Sequence, residues 1–417
     1  METRTFGIDF GTSNSAVAML APSGEVSLAD LFGRPSSPTV LFFPAYDKAD
    51  YAGAEAIQQY LTRGLEGRFI QSMKAFLPVA SFRGTEIRGR FVSIEELVAR
   101  YLRWIVTRAG ESLATLVEGR VVLGRPARYS HDPEADALAE SRLRKGAELA
   151  GLGSVELVIE PVAAALSYES ELTSDETVFV VDLGGGTSDF TVMRVGPGQR
   201  GASDRRRSIL ASGGTPVAGD AIDGEIVRDR LFHQLGHKST YLALTDPVEV
   251  PAWIFQRLLR WNHVSLLKNK KNLEFFRLVE QTSSRPGAIG AFRTIVEDDL
   301  GYALFRAVER AKISAESGSA IIEDDEYGLP VRATLSGADV ERSSGEICET
   351  IEASARDVLS AAEILPAQVD AVFMTGGTSL LPAVRARFVR LFGHDKLRQR
   401  GTFTSVADGL ARAPEHA

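Results

Sequence analysis

The chain has 417 residues, 44% hydrophobic and 24% charged, the balance of a globular protein with apolar material for more than one core. A net charge of −8 argues against a basic nucleic-acid-binding surface, and one cysteine, Cys348, excludes an internal disulfide. No stretch approaches the ~20 apolar residues of a membrane span and the first residues show no signal-peptide pattern, so a cytoplasmic protein without a membrane partner is expected.

Residues 5–10 (TFGIDF) predict a buried strand, Gly11-Thr12-Ser13-Asn14-Ser15 a turn, and residues 16–20 a second strand. This is a β-hairpin, not the strand-to-helix step of a dinucleotide fold. Helical spacing follows over 94–109, then a strand over 119–126 stopped by proline. An amphipathic helix over 133–150 has Asp132 as N-cap and Pro133 in its first turn. Residues 155–159 predict a strand, and Glu160-Pro161 opens another helix. Residues 177–183 (TVFVVDL) then repeat the opening pattern, with Gly184-Gly185-Gly186-Thr187-Ser188 as turn and 189–195 as return strand.

Residues 196–208 predict a loop in which Arg205, Arg206 and Arg207 form a solvated turn. Residues 240–290 are expected to be helical or irregular; their aromatics and Lys268, Lys270 and Lys271 match no nucleic-acid motif. A helix is expected over 297–316, and a third strand over 369–375 leads into Gly376-Gly377-Thr378-Ser379 before a helix at Pro382. Alternating strands and helices indicate an α/β architecture, and the repeated strand–acid–glycine turn–strand unit suggests two related lobes.

Three glycine turns after apolar strands suit close approach to phosphates, because glycine lacks a Cβ and bares backbone N–H groups. Asp9 and Asp182 each precede such a turn by two residues, with Asp189 after the second turn and Glu160 at a helix start. These four carboxylates could hold a hydrated Mg²⁺ through its water shell. Alternatively, Asp9 and Asp182 cap their own turns.

Asp9-Phe10-Gly11-Thr12-Ser13-Asn14 and Asp182-Leu183-Gly184-Gly185-Gly186-Thr187-Ser188-Asp189 resemble the two phosphate motifs of the heat shock protein 70 family. The stretches 150–152 and 160–168 resemble its connecting segment, Glu309-Arg310-Ala311-Lys312 its adenosine helix, and Gly376-Gly377-Thr378 its adenosine loop. The order is that of the family, most like the short YegD-like branch. The resemblance implies a two-lobed actin-like ATPase (ribonuclease H-like) fold with ATP in the cleft. It places lobe I at 1–172 with 397–417 returning to it, and lobe II at 173–396. ATP or ADP and Mg²⁺ are the implied ligands, and protein clients or co-chaperones the implied partners.

By the same resemblance, Lys74 contacts the reacting phosphate, Thr12 and Thr187 bind phosphates, and Asp182 orients the attacking water. Asp9, Glu160 and Asp189 surround the metal, Glu309 and Lys312 bond the ribose, and Gly219 belongs to the loop before the lobe II helices. On a helix, Glu309, Lys312 and Glu316 would share one face, alternatively as a surface ion-pair ladder. The chain departs from the family at Ile313 and Leu380, where arginine is usual, and at Glu316, where a small hydroxyl residue is usual. No apolar linker run appears in 401–417, so no peptide-binding domain is expected. A slow chaperone-like ATPase is the leading expectation; the alternatives are an ATP-dependent actin-like filament former, a small-molecule kinase and an ATP sensor with little turnover.

Overall fold

The strand Thr5–Phe10 is buried along most of its length, and its hairpin partner Asn14–Leu20 pairs with it antiparallel, setting Asp9 opposite Ala16. On its other side it pairs parallel with Arg120–Arg125, which pairs parallel with Glu156–Ile159. Val26–Leu28 closes the sheet beyond Asn14–Leu20. A second sheet repeats this plan around the hairpin Glu176–Leu183 and Ser188–Val195. Ala371–Thr375 and then Leu397–Arg398 extend it in parallel, and Ile209–Thr215 pairs antiparallel at the opposite edge. The repeated sequence unit is therefore a repeated topology.

The computed structural model of the chain describes residues 4–63, 67–110, 119–130, 132–169, 172–199, 205–398 and 405–413. Two units emerge: Met1–Pro216 with Ile351–Leu380 and Arg385–Ala417, and Val217–Thr350 with Leu381–Val384. Both sheets belong to the first unit. Its helices Glu160–Glu169 and Ser405–Arg412 share one apolar core with both sheets, joining Val122 and Val158 of one to Val178, Val180 and Phe373 of the other. Close approach depends on glycine at two points. A Cβ on Gly7 would collide with the carbonyl of Ala407, and one on Gly409 with the carbonyl of Ala163.

Local signals place most elements. Ser93 caps helix Ile94–Arg108 through a capping box with Glu96. Asp132 caps Pro133–Ala150, and Gly151 ends it in the left-handed region.

The second unit packs Phe255, Phe276 and Phe292 in edge-on contacts. The helix expected over 297–316 is Gly301–Ser314, preceded by Pro286–Glu297, with Asp299 at φ 53° between the two. Glu316 lies beyond the helix in the 3₁₀ turn Ala315–Ser317. Within 240–290 a hairpin, Thr240–Ala243 with Asp246–Glu249, accompanies the helices. Its strands include Pro247 and carry no regular apolar alternation, so nothing in the sequence announced it. Among the described residues no helix is long and apolar enough to cross a membrane.

Candidate functional site: a buried lysine among carboxylates

Register builds the centre of this site. Asp182 and Asp189 stand directly opposite each other at the end of the second hairpin, an unfavourable pairing of like charges. Asp182 is also the parallel neighbour of Thr375, whose hydroxyl donates to its carboxylate at 3.0 Å. Thr187 donates to Asp189 at 3.0 Å. Neither Asp9 nor Asp182 accepts a backbone N–H from its own turn among the described residues, so the turn-capping alternative is set aside. The second and third glycine turns meet: Thr378 donates to the carbonyl of Gly184 at 2.7 Å, and a Cβ on Gly376 (φ 79°) would strike Leu183 O.

Lys74 lies in the short helix Met73–Phe76, entered through Ser72 at the left-handed φ 55°, ψ 34°. That outlier is a strained residue beside a buried charge. Arg142 secures the helix exit, donating to the carbonyls of Leu77 at 2.9 Å and Val79 at 3.0 Å. The Lys74 ammonium bonds Glu160 at 2.6 Å, with 8% and 10% of the two side chains exposed. Glu160 opens its helix directly after strand Glu156–Ile159, and Gly124 on the neighbouring strand leaves it room.

Burial raises the pKa of Asp9, and the charges of Glu160 and Asp182 push it further up against the pull of Lys74. Burial also raises Glu160 and Asp182, each with Lys74 opposing. Asp189 is pushed up to about 7 by burial and then by Asp182. Burial alone would lower Lys74, but the charges of Glu160 and Asp9 outweigh it and keep it protonated. Four carboxylates thus face one ammonium.

An oxygen-only, anionic set suits a hydrated Mg²⁺. Among the described residues no three such groups stand close enough to grip an ion directly, so any fit is through water. Gly11, Thr12 and Ser13 lie half-buried after Asp9, Asn14 is exposed, and Gly184, Gly185 and Gly186 are half-buried.

Tyr129 was assigned no role from sequence, yet its buried hydroxyl has no hydrogen-bond partner. It lines a cavity of about 200 Å³ with Glu160, Asp182, Thr187, Asp189 and Thr375. Thr375 was also missed; its only signal was its place at the end of the third strand.

The second unit holds Gly219 at the start of helix Gly219–Leu231, and Glu309 and Lys312 on Gly301–Ser314. Lys312 bonds Asp223 at 2.7 Å in a buried pair rather than joining the Glu309–Lys312–Glu316 ladder. Ile313 is 58% exposed.

An acid with a folded pKa above its unfolded value keeps its proton longer when folded. Its contribution is neutral below pH 3.8 and increasingly unfavourable toward about 7. Asp189→Asn should therefore raise the Tm of the nucleotide-free protein at pH 8 by about 3 °C or more and leave it unchanged near pH 3.5. Scanning fluorimetry at both pH values checks this; an equal shift at both would contradict the charge argument.

Duplicated mixed sheets, each with a hairpin whose turn follows an aspartate, form an α/β fold built twice on one plan. The Hsp70 protein family model matches residues 79–233. The chaperone protein DnaK of Thermus thermophilus is 25% identical over 98% of this chain and 60% of its own length, in each of two strains. DnaK of Mycoplasma mycoides is 24% identical over 98% of this chain and 58% of its own. These matches show the likeness to the heat shock protein 70 family, whose members have the two-lobed actin-like ATPase fold. The chain spans about 60% of the length of these relatives.

Proposed function

We propose that the chain binds ATP with Mg²⁺ and hydrolyses it slowly, as a chaperone-like ATPase of the cytoplasm. The observation that carries this reading is the Asp182–Asp189 pair at one hairpin end, with the buried Lys74–Glu160 pair completing the charge cluster. A group of carboxylates held together at a strand end calls for a cation, and the adjoining glycine turns offer N–H groups to phosphate. Mg²⁺ supplies charge neutralisation when bound. Lys74 stabilises charge developing on the transferred phosphoryl, Asp182 orients the water, and Thr12 and Thr187 hold phosphate oxygens. Positioning and electrostatics do most of the catalysis in such reactions.

In this reading Gly219, Glu309, Lys312 and the turn at Gly376, Gly377 and Thr378 meet the adenosine. The Lys312 ammonium has three donors, so bonding Asp223 leaves capacity for a ribose hydroxyl. Lobes 1–172 with 397–417, and 173–396, close around ATP and report its state to a protein client or co-chaperone. Single-turnover assays on wild type, Asp182→Asn and Thr187→Ala test the chemistry. Mg²⁺-dependent hydrolysis is expected in the wild type, slowed at least about tenfold in each variant; equal rates in all three would refute the assignment.

A further inference from the structure

Charge in the second unit is segregated. Residues 251–272 contain Arg257, Arg260, Lys268, Lys270 and Lys271 and no carboxylate, whereas the rest of 217–350 has 21 carboxylates against 11 lysines and arginines. The segregated stretch is a strap of short helical turns, Ala252–Gln256, Arg257–Leu259, Trp261–Val264 and Ser265–Leu267, running into helix Lys270–Thr282. Ile254, Phe255, Leu258, Val264 and Leu267 bury one side of it. Gly224 and Gly301 let neighbouring helices approach it: an added Cβ would meet the carbonyls of Leu259 at 2.6 Å and Trp261 at 2.9 Å. The other side faces outward, with all five cations exposed and Trp253 and Leu266 44% and 59% exposed.

Lys268 bonds Asp299 at 2.5 Å. The other four cations form no ion pair among the described residues, although Arg260 is within electrostatic reach of Asp220. Burial lowers the pKa of His263, and the nearby charges of Arg260 and Arg257 lower it further. Lys270 and Lys271 occupy the first turn of a 13-residue helix, where the dipole disfavours cations.

We propose that this strap is a docking surface for a short acidic segment of a partner polypeptide. Its carboxylates would meet Arg257, Arg260, Lys270 and Lys271, and an apolar side chain would lie on Trp253. Charge complementarity fixes the kind of occupant: the surrounding unit is acidic, so a short anionic segment fits the strap where a long polyanion would meet repulsion beyond it. The Trp261 ring packs edge-on against Tyr302 at 5.9 Å, leaving Trp253 as the exposed indole of the strap, too little for stacking successive bases. The proposal is independent of the nucleotide reading.

The test uses the full chain and a fluorescein-labelled glutamate-rich peptide of about twelve residues with one leucine, followed by fluorescence anisotropy. Binding is expected at about 50 mM salt and should weaken at least about tenfold by about 250 mM, as screening shortens the field. Arg257→Glu/Arg260→Glu and Lys270→Glu/Lys271→Glu should each weaken it at least about fivefold. Arg332→Glu/Arg342→Glu, exposed reversals outside the strap with the same change in net charge, should leave it within about twofold. Circular dichroism confirms that the variants are folded. Absence of binding, equal loss in the control, or a single-stranded oligonucleotide of matched charge binding as tightly as the peptide would each overturn the proposal.

Discussion

Lys74→Ala is expected to slow single-turnover ATP hydrolysis at least about a hundredfold and to destabilise the protein by about 3–5 kcal/mol. Both effects arise from one contact, the 2.6 Å bond to Glu160 between two nearly buried groups. Deleting the ammonium leaves Glu160 among Asp9 and Asp182 with its principal counter-charge gone, and breaking a buried pair from one side strands the other ion. The carboxyl then keeps its proton to higher pH. The chemical loss is separate, since an ammonium in a poorly solvated site stabilises developing phosphoryl charge more strongly than one in water. Adding Glu160→Gln to Lys74→Ala should recover most of the stability, measured by urea unfolding, and none of the hydrolysis. Hydrolysis by Lys74→Ala within about threefold of wild type would remove Lys74 from the chemistry.

Gly409→Ala should cost about 3 kcal/mol despite adding one methyl group to a helix. That methyl would overlap the backbone carbonyl of Ala163, three residues after Glu160, and backbone cannot rotate aside as a flexible side chain can. Helix Ser405–Arg412 would have to withdraw from Glu160–Glu169, opening the core shared by both sheets and displacing Glu160 from Lys74. Activity should therefore fall with stability. Gly287→Ala and Gly345→Ala provide the contrast: both lie in helices with nothing within 4 Å of an added Cβ. They should be neutral or stabilising by up to about 1 kcal/mol. A Gly409→Ala loss below about 1 kcal/mol would mean the crossing is looser than the structure shows.

What could be read in the sequence was local. An apolar strand closed by aspartate, a glycine turn and a return strand are adjacent signals, and they located both hairpins. The Asp182–Asp189 opposition follows from the same register. Contacts between distant segments were not readable from spacing alone. Lys74 is one lysine after Met73 until the fold brings Glu160 to it from 86 residues away. Lys312 suggested a helical ladder because its partner, Asp223, lies 89 residues earlier in another helix. Tyr129 carries no pattern of its own; its orphaned hydroxyl becomes visible only when the cavity walls are in place.

The crossing of Gly7 and Gly409 also bears on how the chain is made. The strand holding Gly7 leaves the ribosome some four hundred residues before one of its packing partners, Ser405–Arg412. Until then the core between the sheets lacks Val406 and Leu410, and apolar surface around Val122, Val162 and Val178 remains open. Contacts of such sequence separation form slowly, and the waiting surface is prone to aggregation. The first unit therefore completes its folding after translation has passed residue 412, and nascent chains stalled before that point should themselves need protection from aggregation.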